Sequence, residues 1–284
     1  MIKVDLHTHT TASDGTLTPL SLLDRAESRG ITHLAITDHD TIDGLFELQN
    51  FTEKKDFSVK VIPGIELTTN ILNNSFHILG LWVDIHNTSF KDFLKNQKKV
   101  RQERAIRIGD ILEKKGIKNA FEGAKRIASN SVVGRPHFAQ YLVENGYCDK
   151  ARQAYATWLG NGKVADVKVN WPSIDKVVDI IHKANGVAVL AHPNKYGLTK
   201  TKLRDVLSIF KSQGGDGIEV INGRQEKKIT DYLLGLSHKF DMACSVGSDF
   251  HSPLQPWSDL GLDLDLPSSA KPIWEVSTIR ERFY

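Results

Sequence analysis

The chain has 284 residues and a formal net charge of +3, and 40% of its residues are hydrophobic and 25% are charged. This composition is ordinary for a folded globular protein, and it excludes a disordered or fibrous chain. Two cysteines are too few for a disulfide framework, and no segment has the length of a membrane span or the pattern of a signal peptide. We therefore expect a cytoplasmic protein that does not bind a membrane.

Seven short apolar runs alternate with helical patterns along the chain. The runs cover residues 2–6, 34–37, 59–62, 76–83, 187–191, 217–221 and 242–246. This alternation predicts an α/β fold in which βα units repeat around a barrel. Some of the helices have clear ends. Thr18 can cap a helix that starts at Pro19, and Ser173 can cap another that ends before Gly186.

The alternation is interrupted between the fourth and fifth runs. Residues 89–170 show several helical patterns and no strand, and they hold 17 lysines and arginines against 8 aspartates and glutamates, a net of +9. The rest of the chain carries a net of −6. We predict a barrel formed by residues 1–88 and 171–284, and an inserted helical subdomain formed by 89–170. The basic insert suits phosphate-rich ligands, although a solvated helical surface would carry the same charge.

Six histidines and three carboxylates lie at or near the ends of the predicted strands. They are His7, His9, Asp14, His39, Glu66, His77, His192, Asp249 and His251. His7 and His9 project to the same face of their strand, so their imidazoles can bind one ion. In a barrel of parallel strands the carboxyl ends converge on one face, which would bring all nine residues together. A single histidine at a strand end is more often structural, so the prediction depends on the joint pattern.

The types of residue in this set indicate the kind of site. Histidine and carboxylate ligands favour Mn, Fe or Zn, and the lack of cysteine among them argues against a structural thiolate zinc site. We therefore expect a catalytic centre. His33, His86, His182 and His238 have no histidine or carboxylate partner at ligand spacing, and we assign them no role.

The predicted ligands occur within short motifs. These are His7-Thr8-His9, Thr37-Asp38-His39-Asp40, Gly64-Ile65-Glu66, His77, Ala191-His192-Pro193 and Gly247-Ser248-Asp249-Phe250-His251. Together they resemble the polymerase and histidinol phosphatase (PHP) superfamily of metal-dependent phosphoesterases. The resemblance implies a distorted (β/α)7 barrel and a centre of three divalent ions.

The resemblance also implies how the ions are shared. One ion would take His7, His9, Glu66 and Asp249; a second would share Glu66 and add His77 and His192; a third would use Asp14, His39 and His251. Some superfamily members have a histidine at the position of Asp14, so this harder ligand favours Mn or Mg in the third site. The residues also expected to take part in catalysis are Asp14, His39, Glu66, Asp249 and His251.

Three further motifs lie in the insert or follow the fifth strand. They are Arg101-Gln102-Glu103-Arg104-Ala105, Gly134-Arg135-Pro136-His137-Phe138 and His192-Pro193-Asn194-Lys195-Tyr196. They look like the branch of the superfamily that contains 3′,5′-nucleotide bisphosphate phosphatases and RNase AM-like 5′-to-3′ exoribonucleases. Relatives in that branch often have Gly-Arg where this chain has Asn194-Lys195.

These motifs contain candidate phosphate-binding side chains. Arg101 and Arg104 are three residues apart on a predicted helix, so both guanidinium groups can face one phosphate. Arg135 precedes a proline at a helix start, where backbone N–H groups can also bind an anion. A solvated basic face is the alternative for the arginines, and a structural role is equally open for His137. The predicted substrate-binding residues are Arg101, Arg104, Arg135, His137 and Lys195.

The predicted reaction is removal of the 3′-phosphate from nucleoside 3′,5′-bisphosphates, with stepwise 5′-to-3′ cleavage of short 5′-phosphorylated RNA as a related activity. Divalent ions, Mn first and otherwise Fe, Zn or Mg, would activate water, so no serine or cysteine nucleophile is needed. Nucleotides or short RNA are the expected partners, and no protein partner is implied. The alternatives are a histidinol-phosphate or general sugar-phosphate phosphatase, and a non-enzymatic nucleic-acid-binding module, which would be expected to have lost ligands.

Overall fold

In a computed structural model that describes residues 2–52, 57–72 and 74–284, seven strands form one sheet in chain order. They are β1 (Val4–Asp5), β2 (His33–Ile36), β3 (Lys60–Ile71), β4 (Asn74–Leu81), β5 (Val187–Leu190), β6 (Gly217–Asn222) and β7 (Ala243–Gly247). The backbone N–H of Leu6 donates to the carbonyl of Val246 at 3.0 Å, which joins the first strand to the last and nearly closes a barrel. The predicted seven-stranded α/β barrel is confirmed.

One strand runs against the others. β4 pairs antiparallel with β3 and with β5, whereas the remaining neighbours are parallel. The expectation of an all-parallel barrel is therefore wrong at β4. Only residues 72 and 73 lie between β3 and β4, and a parallel crossover needs about a dozen residues, so this connection can only make a hairpin.

Helices surround the barrel and form the insert. They are α1 (Pro19–Ser28), α2 (Asp43–Thr52), α3 (Thr88–Lys114), α4 (Ala120–Ala128), α5 (Arg135–Glu144), α6 (Ala151–Ala154), α7 (Ile174–Lys183), α8 (Lys200–Ser212), α9 (Lys227–Lys239) and α10 (Arg280–Phe283). A π-helical turn (Tyr155–Leu159) follows α6, and 3-10 turns lie at Pro193–Tyr196, Pro256–Ser258 and Ile273–Glu275. None of the helices in the described ranges is both long and apolar enough to cross a membrane.

The predicted helix ends are largely confirmed. The side chain of Thr18 accepts the backbone N–H of Ser21 at 3.2 Å and caps α1, which has Pro19 as its first residue. Ser173 immediately precedes α7, but its side chain accepts no capping hydrogen bond from that helix. Helix α7 ends at Lys183, before Gly186, as the sequence predicts.

Apolar side chains pack in the barrel and in the insert. The barrel interior is filled by alternate strand residues together with a side chain from α10: Leu6, Ala35, Ile62, Leu79, Val189 and Phe283. A separate cluster within the insert includes Ile108, Leu112, Phe138, Leu142 and Leu159. Phe90 and Leu94, at the start of α3, pack instead with the layer between the barrel strands and their helices. Helix α3 thus joins the two regions, and the exact domain boundaries stay a prediction.

Candidate metal centre

His7 and His9 follow directly after β1, and both side chains are fully buried. Their ring centroids lie 5.2 Å apart, while Thr8 between them donates its hydroxyl to the carbonyl of Ala35 at 2.6 Å. Gly247, at the end of β7, makes room for this pair, because a Cβ atom there would lie 2.2 Å from the Cβ of His7. The backbone therefore fixes both imidazoles on one side, as expected for alternate residues of an extended chain.

Glu66 lies at the centre of the site and is fully buried. Its carboxylate is within 3.4 Å of side-chain nitrogen atoms of His7, His9, His39, His77 and His192. The shortest of these distances is 2.8 Å, between Oε1 of Glu66 and Nε2 of His192. A carboxylate surrounded by imidazoles in this way can share its two oxygens between neighbouring ions.

Glu66 differs from the prediction in its position along its strand, whereas His77 lies near the start of its strand as predicted and only the direction of that strand differs. Glu66 is expected at the end of the third strand, but β3 continues beyond it to Ile71. His77 lies near the start of β4, opposite Thr68 of β3. Because β4 is antiparallel, its start lies beside the carboxyl end of β5, where the N–H of Ala191 donates to the carbonyl of His77 at 3.1 Å. The reversed strand thereby brings His77 to the face where the parallel strands end.

Asp14 and Asp249 provide the other carboxylates of the cluster. Oδ1 of Asp249 is 3.4 Å from Nε2 of His7. The carboxylate of Asp14 is 3.4 Å from Nε2 of His251 and 3.7 Å from Nε2 of His39. Residues from both ends of the chain therefore converge on one small volume.

Four groups within the described residues have ligand atoms that all lie within 4.8 Å of one another, and each group could hold an ion. The groups are His9-Asp14-His39-His251, His7-His9-Glu66, His7-His192-Asp249 and His39-Glu66-His77. Every one of the nine predicted ligands belongs to at least one group. Because the groups overlap, the division of the nine residues among three ions stays a prediction.

Unpartnered polar atoms show that this cluster fits metal ions. Within the described part of the chain, the buried atoms without a hydrogen-bond partner include Nε2 of His7, both ring nitrogens of His9, Oδ1 of Asp14, Nδ1 of His39 and Oε2 of Glu66. The last two atoms are 2.9 Å apart, but they lack hydrogen-bond geometry. A buried polar atom without a partner costs about 1–3 kcal/mol, which bound ions would offset. Imidazole and carboxylate together suit Mn, Fe and Zn.

Burial acts to lower the pKa values of His7, His39 and His251, but neighbouring carboxylates raise them, so ions would displace protons from these rings. Three other members of the cluster already have the protonation state of a metal ligand. Burial lowers the pKa of His9 to about 3 and the pKa of His77 to about 4, so both rings are neutral near pH 7. Burial acts to raise the pKa of Glu66, but the neighbouring His39 and His77 hold it well below its usual value. Neutral imidazoles and an ionised carboxylate are the forms that bind metal ions.

Glu219 is a functional residue that the sequence prediction missed. It is fully buried on β6, and its Oε1 atom is 3.1 Å from Nδ1 of His7. Its Oε2 atom accepts the backbone N–H of His192 at 2.6 Å and the side-chain amide of Asn222 at 2.9 Å. A carboxylate on Nδ1 fixes the histidine tautomer that leaves Nε2 free to bind a metal. The available signal was a single acidic residue within the otherwise apolar run at 217–221.

A basic cavity lies beside the cluster. Its lining includes His39, His77, Arg101, Arg104, Arg135 and Lys195, and we call it the basic cavity below. Burial, and then the neighbouring charges of Arg135 and Arg101, lower the pKa of Arg104 to about 9. Guanidinium groups crowded in this way repel one another, and an anion between them would relieve that repulsion.

Four of the predicted substrate-binding residues have partners within the protein. Nε of Arg104 donates to the backbone carbonyl of Val167 at 3.1 Å. Nε of Arg101 donates to Oδ2 of Asp40 at 2.5 Å, and Nζ of Lys195 donates to Oδ2 of Asp249 at 2.6 Å. His137 is buried in the first turn of α5, where its Nδ1 accepts a backbone N–H at 2.9 Å. These contacts give each residue a structural function, and their roles toward a substrate stay predictions.

The barrel, its buried cluster and the basic cavity together define a class of enzyme, the metal-dependent phosphoesterases. Residues 5–252 match the family model described as the PHP domain, and the chain therefore belongs to the PHP family. The resemblance inferred from the sequence motifs is confirmed.

Relatives of similar length match nearly the whole chain. A protein of Haemophilus influenzae described as a 5′-3′ exoribonuclease is 42% identical over 96% of this chain and 98% of its own length. A protein of Chromobacterium violaceum described as a 3′,5′-nucleoside bisphosphate phosphatase is 34% identical over 96% of each chain. The predicted class, a metal-dependent phosphoric ester hydrolase, agrees with both relatives.

Solved structures share the same fold. A structure from Chromobacterium violaceum, described as an amidohydrolase with bound sulfate and no metal, is similar with a TM-score of 0.88 and 34% identity, covering 96% of this chain and 94% of that one. A structure from Bifidobacterium adolescentis, described as a metal-dependent phosphoesterase, has a TM-score of 0.75 and 26% identity, covering 99% and 95%. The fold of these two structures thus extends over 96% and 99% of this chain.

Proposed function

We propose that this chain removes the 3′-phosphate from nucleoside 3′,5′-bisphosphates and releases 5′-mononucleotides one at a time from short 5′-phosphorylated RNA. One observation carries the proposal: the basic cavity, with Arg104 and Arg135, opens directly onto the ligand cluster through His39 and His77. A substrate with two phosphates can therefore place one at the cluster and the other at the arginines.

The two activities require the same first nucleotide. In both substrates a 5′-phosphate marks one end of that nucleotide, and the reacting phosphate is attached to its 3′-oxygen. Relatives described as a 3′,5′-nucleoside bisphosphate phosphatase and as a 5′-3′ exoribonuclease support this pair of substrates. A simple sugar phosphate would leave Arg104 and Arg135 without a phosphate to bind.

Each part of the site has a role in the reaction. Arg104 and Arg135 hold the 5′-phosphate by charge-assisted hydrogen bonds, which orients the 3′-phosphate toward the cluster. The nine histidine and carboxylate residues of the cluster would hold divalent ions, with Mn the first candidate, and such ions would supply Lewis-acid chemistry to the phosphate and to water. Lys195, whose Nζ is 2.6 Å from Oδ2 of Asp249, can donate to a phosphate oxygen at the edge of the cluster. A bond forms between the water oxygen and phosphorus, the bond from phosphorus to the 3′-oxygen breaks, and that oxygen leaves with a proton.

The two cysteine thiols are consistent with a reducing compartment. Cys148 and Cys244 are both free and buried. We place the enzyme in the cytoplasm, where thiols stay reduced and nucleotide substrates occur.

The substrate assignment is tested by phosphate release in the presence of Mn. Adenosine 3′,5′-bisphosphate is compared with adenosine 3′-monophosphate, which keeps the reacting phosphate and lacks only the 5′-phosphate. Because each charge-assisted hydrogen bond contributes roughly 1.5–3 kcal/mol, we expect kcat/KM to be higher for the bisphosphate by at least about tenfold. Histidinol phosphate serves as the sugar-phosphate-type control. Equal kcat/KM values for the bisphosphate, the 3′-monophosphate and histidinol phosphate would refute the assignment.

A further inference from the structure

A second cavity opens from the same cluster, between α5 and the loop that follows β7. The two cavities have five lining residues in common, which are Asp14, Pro136, Tyr155, Lys195 and His251. They are therefore continuous at two of the predicted metal ligands, Asp14 and His251. We call the second cavity the α5 groove and define it by Ala139, Val143, Asn222, Arg224 and Trp257.

One wall of the α5 groove carries an exposed aromatic side chain beside an exposed cation. Trp257 lies in the 3-10 turn Pro256–Ser258 and is 60% exposed. Its carbonyl accepts the backbone N–H of Arg224 at 2.9 Å, which fixes the two residues side by side. The Arg224 side chain is 72% exposed and reaches Asp263 only at 4.0 Å. Aromatic faces and guanidinium groups are what proteins use to hold single-stranded nucleic acid.

The groove lies where an RNA substrate would continue beyond the reacting phosphate. A bisphosphate ends at the reacting phosphate, so it occupies only the basic cavity and the cluster. In RNA that same phosphate continues into a second nucleotide. Hydrolysis breaks the bond from phosphorus to the first nucleotide's 3′-oxygen, so the phosphate stays on the second nucleotide. The first nucleotide occupies the basic cavity, so the second nucleotide must lie in another cavity that opens onto the cluster. The α5 groove is such a cavity.

We propose that the α5 groove binds the nucleotide on the 3′ side of the reacting phosphate, with its base stacked on Trp257 and the following phosphate paired with Arg224. This inference rests on the function proposed above. Stacking is tolerant of sequence, because every base has a π face. The groove would therefore favour RNA over a bisphosphate without selecting a particular base.

The inference is tested with a 5′-phosphorylated trinucleotide and adenosine 3′,5′-bisphosphate, both assayed with Mn. The readout is the ratio of kcat/KM for the trinucleotide to kcat/KM for the bisphosphate. We expect Trp257→Ala to lower this ratio about tenfold, the effect of losing one base-stacking partner, whereas Trp257→Phe keeps an aromatic face and most of the ratio. Leu254→Ala is the matched control, because Leu254 is a neighbouring apolar residue that is 87% exposed.

Arg224→Ala tests the phosphate contact in the same assay. We expect a several-fold lower ratio that falls less steeply with added salt than the wild-type ratio, because one phosphate contact is missing. Lys227→Ala removes a nearby exposed cation and serves as the control. If both Trp257→Ala and Arg224→Ala keep the wild-type ratio, the groove assignment is wrong and the proposed function is unaffected. If the wild-type enzyme hydrolyses neither substrate, both proposals are wrong.

Discussion

Replacing Glu219 with glutamine keeps the shape of a fully buried side chain and removes its charge. The wild-type carboxylate faces three groups: Nδ1 of His7, the backbone N–H of His192 and the amide of Asn222. The last two are donors, and Nδ1 of His7 must also be a donor if Nε2 is to bind a metal ion. Glutamine has only one acceptor oxygen, so it cannot satisfy all three.

The orientation of the glutamine amide determines which ring nitrogen of His7 carries the proton. If its oxygen accepts from His192 at 2.6 Å and Asn222 at 2.9 Å, its NH2 group points at Nδ1 of His7, 3.1 Å away. His7 would then accept at Nδ1 and carry its proton on Nε2, the atom that lies 3.4 Å from Glu66. A protonated Nε2 cannot bind an ion. Loss of such an orienting partner typically costs 10- to 100-fold in metal affinity or activity, and we expect a loss of about this size.

Calorimetric titration of chelator-treated protein with Mn measures this loss, and phosphate release at saturating Mn measures its effect on turnover. Asp216→Asn is the matched control, because Asp216 forms another carboxylate–histidine pair, 2.8 Å from Nε2 of His182 and away from the cluster. We expect the control to bind Mn like the wild type. Wild-type affinity and turnover in Glu219→Gln would refute the tautomer reasoning.

Three further results are expected. Arg135→Ala raises the KM for bisphosphates about tenfold or more with a smaller change in kcat, measured by steady-state phosphate release, because Arg135 is assigned to the non-reacting phosphate. Arg101→Ala lowers the free energy of unfolding by roughly 1.5–3 kcal/mol, measured by urea denaturation, because the buried Asp40 carboxylate loses its cationic partner. That carboxylate keeps its hydrogen bonds from Thr68 and Gln97. Chelation with EDTA abolishes phosphate release, and Mn restores it, because no covalent nucleophile replaces the ions.

Lys95→Ala is the control for both arginine variants, because Lys95 is a 73%-exposed cation on α3. Unchanged KM in Arg135→Ala would remove that residue from the phosphate site. Wild-type stability in Arg101→Ala would contradict the importance of the pair with Asp40. Phosphate release that persists after chelation would contradict the requirement for ions.

Much of the site could be predicted from the sequence because its ligands lie in short, ordered segments. Alternation places His7 and His9 on one side of an extended chain, and the carboxyl ends of parallel strands must meet at one edge. The direction of β4 could not be predicted from such patterns. Its direction depends on the two-residue connection to β3, and an apolar run does not reveal which way a strand runs.

The residues that were missed or assigned incompletely depend on long-range packing. Glu219 contacts His7 across 212 positions of sequence, and a single glutamate in an apolar strand has no motif. Arg101 was predicted from helical spacing to hold phosphate, but its pairing with Asp40 arises only when α3 packs against the barrel. Spacing identifies which residues share a face, whereas the partners of buried charges follow from the three-dimensional fold.

The most direct measurement is the number of Mn ions bound per chain, determined by elemental analysis, together with phosphate release from the same samples. Glu66 belongs to two of the overlapping ligand groups. We expect about three ions in the wild-type protein and about one in Glu66→Gln, with turnover lost because the shared carboxylate is gone. Wild-type ion content and full turnover in Glu66→Gln would contradict a catalytic metal centre built around Glu66.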